Sequence, residues 1–219
     1  MISYFVSEYK IMLKFLRSFV YPNGRYDARY TQFVGWSFVS NILVSTQHAL
    51  SVHSMLSALD VCNSDVSRSV NYMGKDVIGQ LGSLCYMSKG AKLADKKPLL
   101  FLSRSHVCQQ VSYILMCATP IFDSRFLIVA GSASALTNLA FIGFGAINQK
   151  CIPKIALDDN IGEISAKVAA LNTLGSSVGM GLGIAVASTC PDHLTRMFVL
   201  PIIGIARVHT LNLAIKGIV

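Results

Sequence analysis

Long apolar runs separated by short polar breaks make up most of the chain, and no strand-like alternation of useful length interrupts them. Six apolar segments, at 32–59, 70–91, 98–119, 124–148, 161–190 and 194–216, are each predicted as a helix. Prolines mark several boundaries. Pro98 stands where a first-turn proline is tolerated, Pro120 lies just past a helix end, and Pro191 separates the last two helices. Pro201 is expected to kink the sixth helix, because it removes a backbone N–H from the ladder. Asp123 can cap the fourth. Ahead of these, MISYFVSEYKIMLKFLRSFVYP places Lys10, Lys14 and Arg17 on one helical face and Phe5, Tyr9, Met12, Leu16 and Phe19 on another. That division predicts an amphipathic interfacial helix over 1–21, ended by the turn Pro22-Asn23-Gly24, and a helical membrane domain over 22–219. The charges fall inside the apolar stretch and no small-residue cleavage site follows, which argues against a signal peptide. The basic, acid-poor start fits an uncleaved mitochondrial address. No repeat of the solenoid or carrier type is present.

Composition turns a helical reading into a membrane reading. Of 219 residues, 53% are hydrophobic and only 14% charged, where a soluble domain carries about a quarter charged. The mean hydropathy is +0.52. Uncharged runs exceed the ~20 residues with which a helix crosses the hydrocarbon core. The expected fold is an all-α polytopic membrane protein of about six transmembrane or membrane-embedded helices. The alternative is a soluble domain with buried helices. A net charge of +8 suggests nucleic acid for a soluble chain, but no RRM, zinc-finger or helix-turn-helix pattern is present, and nucleic acid is not expected as a partner. Basic loops facing anionic lipid fit better.

Six alternating spans distribute these charges unequally. The amino-terminal side collects Lys10, Lys14, Arg17, Arg25 and Arg29, then Lys89, Lys92, Lys96, Lys97 and Arg104, then Lys150, Lys154 and Lys167. The other side receives Arg68, Lys75, Arg125 and Arg196. Under the positive-inside rule both termini face the positive side, expected to be the matrix. The six cysteines (Cys62, Cys85, Cys108, Cys117, Cys151 and Cys190) form no CxxC pair and read as reduced packing residues.

The stretch DDNIGEISAKVAALNTLGSSVGMGLG, residues 158–183, combines a polar start with an uncharged continuation. Asn160 and Glu163 have capping-box spacing, and Asp158 and Asp159 add negative charge near the positive helix end. A helix over 161–190 is about 45 Å long, more than the bilayer core requires, so its first two turns are expected to stand outside. Gly175, Gly179 and Gly183 fall at i, i+4 and i+8, while Ser177, Gly181 and Ala185 repeat the spacing on an adjacent face. Repetition at this spacing predicts helix-packing rows that admit another backbone closely.

Three stretches resemble the root UV-B sensitive protein family. NIGEISAK at 160–167 is similar to its N-x-A-[DE]-[IV]-S-A-K, carrying Asn160, Glu163, Ser165 and Lys167. GKDVIGQLG at 74–82 is similar to its K-D-G-x-G-x-L-G, carrying Lys75, Asp76, Gly79 and Gly82. YPNGRYDARYTQFVGW at 21–36 is similar to its P-x-G-Y-P…Y…Y-Q-x-W region, with a shorter insert. The resemblance implies a multi-span helical protein of mitochondria or plastids, with plant members linked to UV-B responses and vitamin B6 homeostasis. It implies no established reaction. Departures are also visible. After S-A-K the family's D-G-S-Q-E-T is replaced by Val168, Ala169, Ala170, Leu171, Asn172 and Thr173, and the first glycine of K-D-G-x-G is Val77. Acids of the family's third helix fall on His106, Gln110 and Met116. The family's further soluble region is not represented. Lost intramembrane acids are lost proton and cation sites, so the resemblance implies a derived member used as a building part.

Candidate chemistry is sparse. HExxH, GxSxG and Walker patterns are absent, and no His, Cys or acid falls at metal-ligand spacing, so neither a metal, a cofactor nor a catalytic residue is expected. Ser176-Ser177 lacks an evident base. Lys75-Asp76 is read either as a salt bridge at a helix end or as a polar site lining a cavity. Lys89, Lys92, Lys96 and Lys97 form either a solvated, topology-setting loop or a site for anionic lipid headgroups such as cardiolipin. The expected function is a non-catalytic accessory or structural subunit of a larger organellar complex, in the mitochondrial inner membrane, with lipids and other subunits as partners. The alternative is a small-molecule transporter or vitamin B6-homeostasis membrane protein, with Asn41, Gln47, His48, Asn138 and Asn172 lining a polar cavity.

Overall fold

A computed structural model describes residues 17–59, 65–122, 125–190 and 192–219. Apart from 17–20, which form a helical turn, the expected amphipathic helix lies outside these residues. Six long helices follow: α1 (Arg29–Leu59), α2 (Asp65–Lys96), α3 (Pro98–Ala118), α4 (Phe126–Ile155), α5 (Ile161–Thr189) and α6 (His193–Ile215). A 3₁₀ turn, Thr119–Ile121, carries Pro120 at the end of α3. Pro98 occupies the first turn of α3 behind the N-cap Lys97. α2 begins before the expected 70 and continues beyond 91, because its polar ends are made of residues that a helix accepts and nothing breaks it before Pro98. α4 runs through Pro153 to Ile155 rather than stopping at 148. Its N-cap, Arg125, makes no side-chain capping bond, and Asp123 lies outside the described residues. α6 continues through Pro201.

α1 is the axis of the bundle. It packs against α5, α6 and α3, while α2 and α3 both pack on α4. One apolar cluster joins Tyr30, Phe33, Leu102, Ile147, Ile155, Ile164 and Ile215; another joins Leu50, Met55, Tyr113, Met116, Phe126 and Leu200. Between and around them the interior is unusually polar. Ser37, Ser40, Ser45, Thr46, Gln47, Ser51 and Ser54, all on α1, are buried. Large apolar side chains face out instead, among them Ile128, Ile184, Phe198, Ile202 and Ile205. A polar axis inside an apolar surface is the arrangement that suits lipid rather than water.

The expectation of six transmembrane helices is corrected. Among the described residues, three helices are long and apolar enough to cross a membrane: Phe126–Ile155, Ile161–Thr189 and Leu194–Ile215. The physical reason lies in the other three. α1 spends its inward face on hydroxyls and amides, α2 carries charges at both ends and in its middle, and α3 holds Arg104, His106, Gln109 and Gln110. Three apolar helices support membrane association; they do not support six spans.

Hydrogen bonds between helix ends fix the helix directions. The Asp27 N–H donates to the Ile155 carbonyl at 2.9 Å, beside an isolated bridge between Tyr26 and Ala156. Lys154 donates to the Ile218 carbonyl, Arg29 to the Gly217 carbonyl, and Lys150 to the Ala94 carbonyl. The starts of α1 and α5 and the ends of α2, α4 and α6 therefore share one end of the bundle. At the opposite end, Arg196 covers the carboxyl terminus of α5: its Nε donates to Cys190 O at 2.7 Å and its Nη2 to Ala187 O at 3.1 Å. Its Nη1 donates to Ser54 Oγ at 3.0 Å and meets His53 Nδ1 at 2.9 Å. Those carbonyls have no further turn of α5 to bind them.

Candidate functional site

The glycine row of α5 lies on α1. A Cβ on Gly179 would meet the Ile42 carbonyl and stand 2.8 Å from Ser45 Cβ; one on Gly183 would stand 2.6 Å from Ala49 Cβ and 2.8 Å from Thr46 O; one on Gly175 would stand 3.1 Å from Phe38 O. Real side chains do not sit as close as the contacts at Gly179 and Gly183, so only glycine admits the approach there, while at Gly175 the neighbour would have to give by a few tenths of an ångström. Polar bonds accompany the contact. Thr46 Oγ1 donates to Gly179 O at 3.0 Å, and Asn41 Nδ2 donates to Asn172 Oδ1 at 2.8 Å. The adjacent row behaves differently. Ser177, Gly181 and Ala185 are exposed, and a Cβ on Gly181 would meet nothing within 4 Å. Ser177 Oγ donates back to Thr173 O within its own helix.

The segment 74–82 makes a second close contact, between α2 and α4. A Cβ on Gly79 would stand 2.7 Å from Ser134 Cβ and 3.0 Å from the Ser134 carbonyl carbon, and one on Gly82 would stand 2.8 Å from Ala135 Cβ. Lys75 and Asp76 form an ion pair at 2.6 Å, with the lysine buried and the acid half exposed. The ammonium also lies 4.1 Å from the Tyr72 ring centroid, a cation–π contact that offsets part of its desolvation. Both residues line a cavity of about 240 Å³, together with His48, Thr137 and Asn138. Salt bridge and cavity lining, read as alternatives from the sequence, coexist, but the bridge lies inside α2 rather than at a helix end.

The polar start of α5 does not form the expected capping box. Asn160 is the N-cap but makes no side-chain capping bond. Its Nδ2 donates to Arg25 O at 3.1 Å, and Glu163 Oε1 accepts from the Asn23 N–H at 2.9 Å. Asp158 Oδ2 accepts from the Arg25 N–H at 3.0 Å, and Lys167 donates to Ser18 O. Two stretches that look alike only in being polar, 158–167 and 18–25, are therefore one latch. Long-range partners, one acceptor and one donor, displaced the local pair. Ser165 is partly buried on this turn. Within the same region, Asp27 accepts from the Arg29 N–H and from its guanidinium at 2.7–2.8 Å, which holds the Asp27 carboxyl down at about 2. Lys96 and Lys97 are exposed beside this end, while the side chains of Lys89 and Lys92 lie outside the described ones.

Polar candidates from α1 and α4 divide between two cavities. His48 and Asn138 line the first. Asn41 lines another of about 270 Å³, with Ser37, Ser40, Phe144, Asn148 and Arg207. Gln47 lines neither: its Nε2 donates to Leu200 O at 2.7 Å and to Gln110 Oε1 at 2.9 Å, tying α1 to α3 and α6. The sequence reading gave Arg207 no role. The available signal was a lone arginine within the otherwise uncharged run from Met197 to Ile215.

Comparison with known proteins identifies the lineage. The family model described as "Vitamin B6 photo-protection and homoeostasis domain" matches residues 7–218. From Arabidopsis thaliana, Protein root UVB sensitive 2, chloroplastic, is 26% identical over 95% of this chain and 49% of its own length. Protein root UVB sensitive 3 is 23% identical over 75% of this chain and 38% of its own, and Protein root UVB sensitive 6 is 23% identical over 83% and 37%. The chain thus spans less than half the length of these relatives. No solved structure matches. A nearly full-length family match, together with motif segments that meet in space as latch and helix contact, leads to one conclusion: the chain belongs to the vitamin B6 photo-protection and homoeostasis domain family, that of the root UVB sensitive proteins.

Proposed function

We propose that this chain is a non-catalytic, membrane-embedded helical frame that works within a larger assembly in vitamin B6 homeostasis. The observation that carries this reading is the division of α5. Its row Gly175, Gly179 and Gly183 is spent on α1, whereas the parallel row through Gly181 faces outward. In lipid, where apolar burial alone drives little association, such a row is the surface on which a further helix packs. The relatives give the expected mitochondrial inner membrane no support, one of them being named chloroplastic, so the proposal goes no finer than an organellar membrane. Migration of the endogenous chain on native gels, after mild solubilisation, tests the reading. A discrete assembly well above the mass of the chain is expected; a free monomer overturns it.

A second reading, passage or binding of a small solute, is favoured by the two polar cavities. There the expectation reverses: replacing Asn138 or His48 with apolar residues of similar size abolishes solute handling and leaves the native mass unchanged.

A further inference from the structure

The cavity beside α1 contains a charge that no described residue balances. Arg207 is only 4% exposed, lies on a membrane-type helix, and makes no ion pair among the described residues. Its guanidinium lies over the Phe144 ring, 4.2 Å from Cζ to the centroid. That contact uses the flat face of the group. The edges are left over, and there Nε and Nη1 are buried with no acceptor among the described residues. They lie on different edges of the guanidinium, each edge completed by Nη2, and such an edge is the fork that pairs with two oxygens of a carboxylate or phosphate. The Ser37 hydroxyl, also buried and unpartnered, lines the same cavity, and no acid is among its described lining residues. A buried charge without a partner is costly in any protein, and more so within a membrane domain. From this juxtaposition we infer that the Arg207–Ser37 cavity binds an oxyanion, the carboxylate or phosphate group of a small acid or of a lipid headgroup. The about 270 Å³ of space accommodates such a group, and the half-exposed Phe141 forms part of its rim. The inference rests on neither reading of function, since a frame and a carrier can both hold an anion.

Inorganic phosphate and acetate, titrated into the purified full chain in non-ionic detergent, are the probes for free anions. Nanodiscs of phosphatidylcholine with and without phosphatidic acid are the probe for a headgroup. The unfolding temperature reports binding, because a ligand of the folded state raises it saturably, and native mass spectrometry counts retained phosphatidic acid. Saturable protection by a free anion marks a soluble ligand, and protection or retention confined to phosphatidic acid marks a headgroup; either supports the site. Arg207→Gln should abolish the effect, Arg207→Lys should weaken it by about tenfold through loss of the fork, and Ser37→Ala should weaken it less. In anion-free buffer Arg207→Gln should unfold no lower than the wild type, since it removes an uncompensated charge. If Arg207→Gln does not fold, Arg207→Lys and Ser37→Ala carry the test. No saturable effect from any probe, or an effect that these variants leave unchanged, overturns the inference.

Discussion

Single residues at the bundle ends act mainly as connectors. Asp27 shows this most simply. Its carboxyl sits near 2 rather than the ordinary 3.8, chiefly because the Arg29 side chain and N–H donate to it. A depressed carboxyl stabilises the fold above its unfolded value, and that stabilisation disappears as pH falls through the folded value. The wild type should therefore lose unfolding temperature between about pH 4 and pH 2 relative to Asp27→Asn, in paired melts across that range; parallel curves would refute the assignment. Arg196 is the counterpart at the other end. Arg196→Met strands Ala187 O and Cys190 O, at about 3 kcal/mol of stability, measurable by denaturant titration in micelles. Local chemistry was legible here only where partners were near in sequence. Asp192, which accepts from the Thr195 N–H at 3.1 Å, follows the ordinary capping rule. Asn160 and Glu163 obey the same rule on paper, yet bond to Arg25 and Asn23 across more than a hundred residues. Nothing in their spacing announces that.

At the level of elements, the glycines set which helices can touch. The i, i+4, i+8 row of α5 was readable as a packing face, but its partner was not, because small residues specify closeness without specifying who approaches. Gly79 and Gly82 were singled out only by resemblance; the structure gives them a physical task against Ser134 and Ala135. Gly79→Val should force α2 away from α4 at a cost of about 2 kcal/mol. Gly35→Ala, whose Cβ meets nothing within 4 Å, should be neutral or stabilising by up to about 1 kcal/mol. Equal effects of the two on unfolding would contradict the packing account. The basic segment near the end of α2 is tested separately. Joint replacement of Lys89, Lys92, Lys96 and Lys97 by Gln should lower the anionic lipid that copurifies with the chain; unchanged lipid content would favour a plain loop.

For the whole molecule, the sequence revealed a helical membrane-type chain but overcounted its spans. Six apolar segments became six helices, yet only three are apolar enough to cross. The excess arises from α1, α2 and α3; α2 and α3 carry charges, and in α1 the hydroxyl and amide positions are masked in a hydropathy reading by the Val, Leu and Ile between them. Such a helix is stabilised by the neighbours that enclose it rather than by lipid. The expected charge asymmetry has a structural counterpart: Arg25, Arg29, Lys150, Lys154 and Lys167 all lie at the end where α1 and α5 start and α4 and α6 finish. We propose that this end faces the interior of the organelle. Tags at the two termini should then be protected together from protease in sealed organelles, and protection of one alone would rule the arrangement out.

The division of α5 into an inner and an outer row is the central claim, and native mass compared across two variants tests it most directly. Gly179→Leu, on the inner row, should destroy the bundle, so that little folded chain survives. Gly181→Leu, one turn face away, should leave a folded chain that migrates at its own mass, released from the assembly that holds the wild type. A Gly181→Leu chain that stays in an assembly of wild-type size would contradict the account.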